Sequence, residues 1–162
     1  MLDREAFYKA VDLIGDARKI YVIGGRSCST LASFLSYYLI RSDSVTESIE
    51  EIHRIGDEDV IIAISFPRYS VKTIQTVSFA KNRKAKIIAI TDGAQSPLAK
   101  YADCSIYAGS DMVSFVDSLV APLSVVNVLL AALSMRYKDS VTDTMLSMES
   151  IWNTMNEYEH ID

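Results

Sequence analysis

Two short stretches of the chain carry residue types suited to holding an anion. The first, residues 24–32, reads GGRSCSTLA and sets Arg26 among Gly25, Ser27, Cys28, Ser29 and Thr30. The second, residues 65–73, reads SFPRYSVKT and brings Ser65, Arg68, Tyr69, Ser70 and Thr73 together. A guanidinium offers a planar fork to phosphate oxygens, and hydroxyls and helix N–H groups can complete the shell. Ordinary connector chemistry explains only part of this composition. Glycine suits a tight turn, Ser27 and Ser70 suit helix caps, and Pro67 stiffens its loop and restricts Phe66. That leaves Arg26, Ser65, Arg68 and Tyr69 without a structural task. Closing around one phosphate, the two loops predict a site for a phosphorylated small molecule. Glycine is absent at Arg26 and Ser29, so the first loop is not G-x-G-x-x-G, and no Gly-Lys-Ser/Thr follows to make a P-loop. Cys28 falls near an expected helix N-terminus, where a thiol pKa can drop, but no His–Asp pair accompanies it as a nucleophile would require.

The elements around these loops alternate between apolar runs and helical periodicity. Residues 19–24, 60–65, 86–91 and 104–107 read as buried strands, and 45–49 as a weaker strand nearer an edge. Helical spacing covers 3–17, 29–41, 70–83, 114–137 and 141–157, with short helical turns at 50–55 and 97–101. Such alternation predicts an α/β fold, a doubly wound five-stranded parallel sheet of flavodoxin-like order 2-1-3-4-5 with helices on both faces. In that order the ligand crevice opens beyond the carboxyl ends of the first and third strands, where both arginine loops begin.

Composition bounds the partners. The 162 residues are 49% hydrophobic and show no repeat or linker, which predicts one domain over 1–162. A formal net charge of −5 gives no support to a non-specific grip on nucleic acid. Residues 119–135 are apolar but too short and too interrupted, by Pro122, Ser124 and Asn127, for a membrane span. The opening MLDREAFYKAVDLI lacks the apolar core of a signal peptide, and the two cysteines have no metal-like spacing. A cytoplasmic protein with reduced thiols, no metal and no cofactor is expected. His53, His160 and the glutamates at 47, 50, 51, 149, 157 and 159 read as surface residues rather than as a placed catalytic base.

In order along the chain, IYVIGGRSCSTLASFLSYYL, DVIIAISFPRYSVKTIQTVSFAK and KIIAITDGAQSPLAKYADCSIYA resemble the sugar isomerase (SIS) domain. Within it they are most similar to the ligand-sensing domain of RpiR/MurR-type bacterial transcription regulators. The family's G-x-G-x-S aligns with Gly24, Arg26 and Cys28, and its S-x-S-G-x-T with Ser65, Pro67, Arg68 and Ser70. Arginine thus stands at a glycine position in each loop. The resemblance implies a phosphosugar or related metabolite bound by Gly25, Arg26, Ser27, Cys28, Ser29, Ser65, Arg68, Tyr69, Ser70 and Thr73. It further implies effector sensing, with DNA contacted only through an amino-terminal helix-turn-helix domain that this chain lacks. The alternative is a stand-alone aldose–ketose sugar phosphate isomerase. A homodimer or homotetramer is expected, because residues 113–135 are apolar nearly all round and Met145, Met148 and Ile151 follow.

Overall fold

The structure, a computed structural model, describes residues 3–39, 42–44, 52–113, 116–138 and 149–150. The order of elements is α1 (Arg4–Asp16), β1 (Ile20–Gly24), α2 (Cys28–Tyr38), β2 (Ser42–Ser44), β3 (Val60–Ile64), α3 (Val71–Asn82), β4 (Lys86–Thr91), β5 (Cys104–Tyr107), β6 (Met112–Val113), β7 (Val116–Asp117) and α4 (Val120–Arg136). The fold is α/β, and its longer strands form a parallel sheet in the order β1-β3-β4-β5. The three-residue β2 adds to the outer edge of β1, pairing Ile20 with Ser42 and Val22 with Ser44, which gives the order β2-β1-β3-β4-β5.

Side-chain alternation along the strands divides the interior into two cores. Ile20, Val22, Val60, Ile62, Ile64, Ile88 and Ile90 face α1, α2 and α4. On the opposite face Tyr21, Ile23, Ile61, Ala63, Ile87 and Ala89 meet Val77 and Ala80 of α3, with Ile52, Ile55 and Leu98. All five residues of β3 are buried, as a central strand covered on both sides requires. α1 begins where Asp3 accepts the amides of Glu5 and Ala6, and its Phe7, Ala10, Val11 and Ile14 are buried at the expected spacing. α3 is capped as expected, with the Thr73 amide donating to Ser70 Oγ over 3.3 Å.

Several expectations change. The second strand lies at Ser42–Ser44; the predicted strand at 45–49 is outside the described residues, as is most of the predicted helix at 141–157. α2 closes at Tyr38, with the Leu39 amide bonded to the Ser36 carbonyl, short of the predicted 41. Residues 97–101 form turns rather than a helical turn. The largest change is at 114–137. The helix starts only at Val120, and the β6–β7 hairpin precedes it, pairing Met112 with Asp117 and Val113 with Val116. Pro122 gives the reason: a helix begun at 114 would hold proline in its interior, where it forfeits a hydrogen bond and clashes, whereas the first turn tolerates it.

Candidate anion-binding site

β1 and β3 are neighbours, with Gly24 opposite Ile64, so the loops that leave them rise side by side. The hollow between them is lined by Gly25, Arg26, Ser27, Cys28, Ser65, Phe66, Pro67, Arg68, Ser70, Ser110, Asp117 and Leu119, and measures about 20 Å³, little more than one water needs. Of the predicted site residues, Gly25, Arg26, Ser27, Cys28, Ser65, Arg68 and Ser70 line it. Ser29, Tyr69 and Thr73 do not. Ser29 turns back to donate its hydroxyl to the Arg26 carbonyl at 2.6 Å. Thr73 is buried in the first turn of α3. Tyr69 donates to Asp92 Oδ1 at 2.8 Å. Burial first, and then the bond and charge of Asp92, raise the Tyr69 pKa.

The backbone of the two loops is unusual in the same way twice. Arg26 has φ 56° and Arg68 φ 66°, both in the left-handed region that L-residues avoid at a cost of roughly 1–2 kcal/mol. Lys84, with φ 66°, shares it, but just after the end of α3, where helices commonly place such a residue. Arg26 and Arg68 are the positions at which the family patterns have glycine. The loops therefore keep a glycine-type path while carrying guanidinium groups on it, and strain held against preference is most often found at functional sites. Gly24 is needed for a different reason. A Cβ there would lie 2.6 Å from the Cys28 carbonyl oxygen and 2.9 Å from its carbon, so glycine lets α2 sit close on β1.

Helix amides contribute less at α2 than expected. Those of Cys28, Ser29 and Thr30 donate to the carbonyls of Gly25, Arg26 and Ser27, closing a tight first turn. Ser27 is not a side-chain cap; its hydroxyl donates instead to Asp117 Oδ2 at 2.8 Å. Ser65 is fixed from two sides. Its carbonyl accepts Thr91 Oγ1 at 2.7 Å, and its Oγ accepts the Ser70 amide at 3.4 Å. Thr91 Oγ1 also lies 2.7 Å from Ser96 Oγ, so β4 buttresses the second loop from below.

Asp117 joins the two loops and was not predicted. Its Oδ1 accepts Arg68 Nη2 at 3.1 Å while its Oδ2 takes the Ser27 hydroxyl. The bonds from Ser27 and Arg68, with smaller help from the Arg26 charge, hold its carboxyl below the ordinary aspartate value. Reading 114–137 as one helix hid this residue; the position of Pro122 was the signal that would have exposed it. Two arginines and several hydroxyls around a carboxylate form a cluster suited to a small oxyanion. Among the described residues no three His, Cys, Asp or Glu side chains gather as a metal site.

Residues 13–132 match the model of the SIS domain, which is most of the chain. The chain belongs to the SIS domain family. It is 31% identical, over 63% of its own length, to an uncharacterised HTH-type transcriptional regulator of Clostridium perfringens, of which it spans 39%. Among solved structures, the sugar isomerase domain of the RpiR transcription factor from Sphaerobacter thermophilus superposes with TM-score 0.88 at 27% identity, covering 92% of this chain and 88% of that one. The Vibrio vulnificus NanR protein, solved with ManNAc-6P, shares the fold at 21% identity and TM-score 0.83, covering 96% of this chain and 62% of NanR. This SIS domain thus resembles the sugar isomerase domain of RpiR-type regulators. No described helix is long and apolar enough to cross a membrane.

Proposed function

We propose that this SIS domain is the effector-sensing part of an RpiR-type regulator and binds a phosphorylated carbohydrate derivative between its two arginine loops. One observation carries the reading: Arg26 and Arg68 stand on glycine-like backbone at the ends of adjacent strands and border one hollow with Ser27, Ser65 and Ser70. The ligand that NanR carries in its solved complex, a sugar phosphate, is of the chemical class this cluster suits.

Sensing is favoured over isomerisation by the state of Asp117, the one carboxylate among the described residues that lines the hollow. Proton transfer between adjacent carbons needs a base with a pKa near the working pH. Asp117 is shifted the other way and is engaged by two donors. His53 is in the turn at 52–54, before β3, and is not among the residues that line the hollow. Control of DNA would pass through a helix-turn-helix domain outside this chain, in a cytoplasmic protein. Val120, Val128 and Met135 of α4 are exposed apolar residues, which supports self-association as a homodimer or homotetramer able to set two DNA-binding domains as a pair.

A sugar phosphate panel tests this by thermal shift with product analysis alongside. The expected result is stabilisation by at least one member without turnover, lost in R26E and R68E. Aldose–ketose interconversion would establish the isomerase reading instead, and full binding by both charge-reversed variants would remove the site from these loops.

A further inference from the structure

Asp117 has a double attachment that the binding of a ligand does not by itself require. It takes one hydrogen bond from each arginine loop, from Ser27 at 2.8 Å and Arg68 at 3.1 Å, and feels the Arg26 charge as well. A carboxylate held by a guanidinium and a hydroxyl presents two oxygens in the manner of a phosphate edge. The same donors that suit a phosphate are therefore engaged by an acid of the chain itself, and the space left beside it is about 20 Å³. A phosphate seated on Ser27 and Arg68 would meet the Asp117 carboxylate at the same donors.

The residue also has a mechanical connection. It ends β7, and Leu119, two residues on, lines the same hollow and is the N-cap of α4. Ser110 Oγ donates to the Ser118 carbonyl at 3.2 Å, tying the two ends of the hairpin. Side-chain exposures of 51% for Arg68 and 27% for Asp117 place the ion pair at the rim, open to exchange with an anion from solution.

We infer that Asp117 is a built-in competitor for the anion site: an arriving phosphate displaces its carboxylate from Ser27 and Arg68 and releases the hairpin that leads into α4. The inference rests on the anion-site reading above and adds the exchange to it. Displacement is reciprocal, so whatever holds the hairpin in place weakens the ligand by the same factor, and whatever binds the ligand loosens the hairpin. The start of α4, with the exposed Val120, is then the first part of the outer surface to sense occupancy.

Inorganic phosphate is the probe. Its affinity is measured by calorimetry for the wild-type chain, D117N and D117A, and amide exchange over residues 110–119 is followed with and without saturating phosphate. D117N keeps the size of the side chain and removes its charge, and exchange in the wild-type chain needs no variant. The expected result is phosphate binding at least about fivefold tighter in both variants, the lower end of ordinary coupling between sites. Phosphate should also accelerate exchange over 110–119 in the wild type. Equal or weaker binding by the variants, or exchange slowed by phosphate in the wild type, overturns the competitor while leaving the anion site standing. Phosphate binding by none of the three chains overturns the site itself, and the competitor with it.

Discussion

Glycine in place of either loop arginine should separate backbone strain from ligand binding. At Arg68, φ is 66°, and relieving a left-handed L-residue gains roughly 1–2 kcal/mol. Glycine returns part of that, about 0.4–1 kcal/mol, because its unfolded chain is freer. Alanine at the same position keeps the strain and also lacks the guanidinium. Both variants lose the Arg68–Asp117 pair, so that loss cancels between them. R68G should accordingly exceed R68A in stability by about 1 kcal/mol, or roughly 2–4 °C in melting temperature for a chain of this size. Thermal denaturation reads the difference, and the same pair at Arg26, φ 56°, should repeat it. Calorimetry with a sugar phosphate completes the test, because R68G and R68A should lose binding alike. An R68A that melts level with or above R68G would refute the strain argument; an R68G that binds as wild type would refute the role of the guanidinium.

Other consequences are as direct. G24A should destabilise the chain by about 1–3 kcal/mol, seen as a lower melting temperature, since the new Cβ meets the Cys28 backbone at 2.6 Å and α2 must retreat from β1. Burial opposes ionisation of Asp103, but the Ile87 amide at 2.8 Å and Lys81 Nζ at 3.0 Å outweigh it and lower the pKa. A carboxylate whose folded pKa is depressed contributes stability in full above its unfolded value, roughly 4, and loses it as pH falls through the folded value. D103N should therefore flatten the acid limb of stability against pH; an unchanged limb would show that the Ile87 and Lys81 contacts do not matter. Burial pushes the Cys104 thiol up to about 11, so native protein at pH 8 should resist alkylation at Cys104 until denaturant is added, as peptide mapping would show.

The parts of the fold that could be read beforehand are those in which local pattern and tertiary role coincide. VIIAI and KIIAIT cannot be solvated and are too short for helices, so buried parallel strands follow almost directly. The arginine loops stood out for the opposite reason: connector chemistry does not account for an arginine among hydroxyls in each of two loops, and the structure brings both loops to one hollow. The hairpin before α4 was not legible, since residues 112–119 (MVSFVDSL) are themselves largely apolar and Pro122 alone marked the boundary. Asp117 went with it. Tyr69 and Ser29 belong to these loops but do not line the hollow, and Asp92 and the Arg26 carbonyl take their hydroxyls.

Sequence alone determined the alternation of strands and helices, the strands that must lie inside, and the two loops at which anion chemistry is possible. Burial and periodicity are local properties, and they are written in the order of residues. Tertiary structure decided what those loops do to each other. Residues 27, 68 and 117 lie far apart along the chain, and only the pairing of β1 with β3 and the return of the β6–β7 hairpin bring their side chains within hydrogen-bonding distance. It also decided the backbone sign at Arg26 and Arg68. No local preference of arginine leads to positive φ, which is seen only in the folded loops.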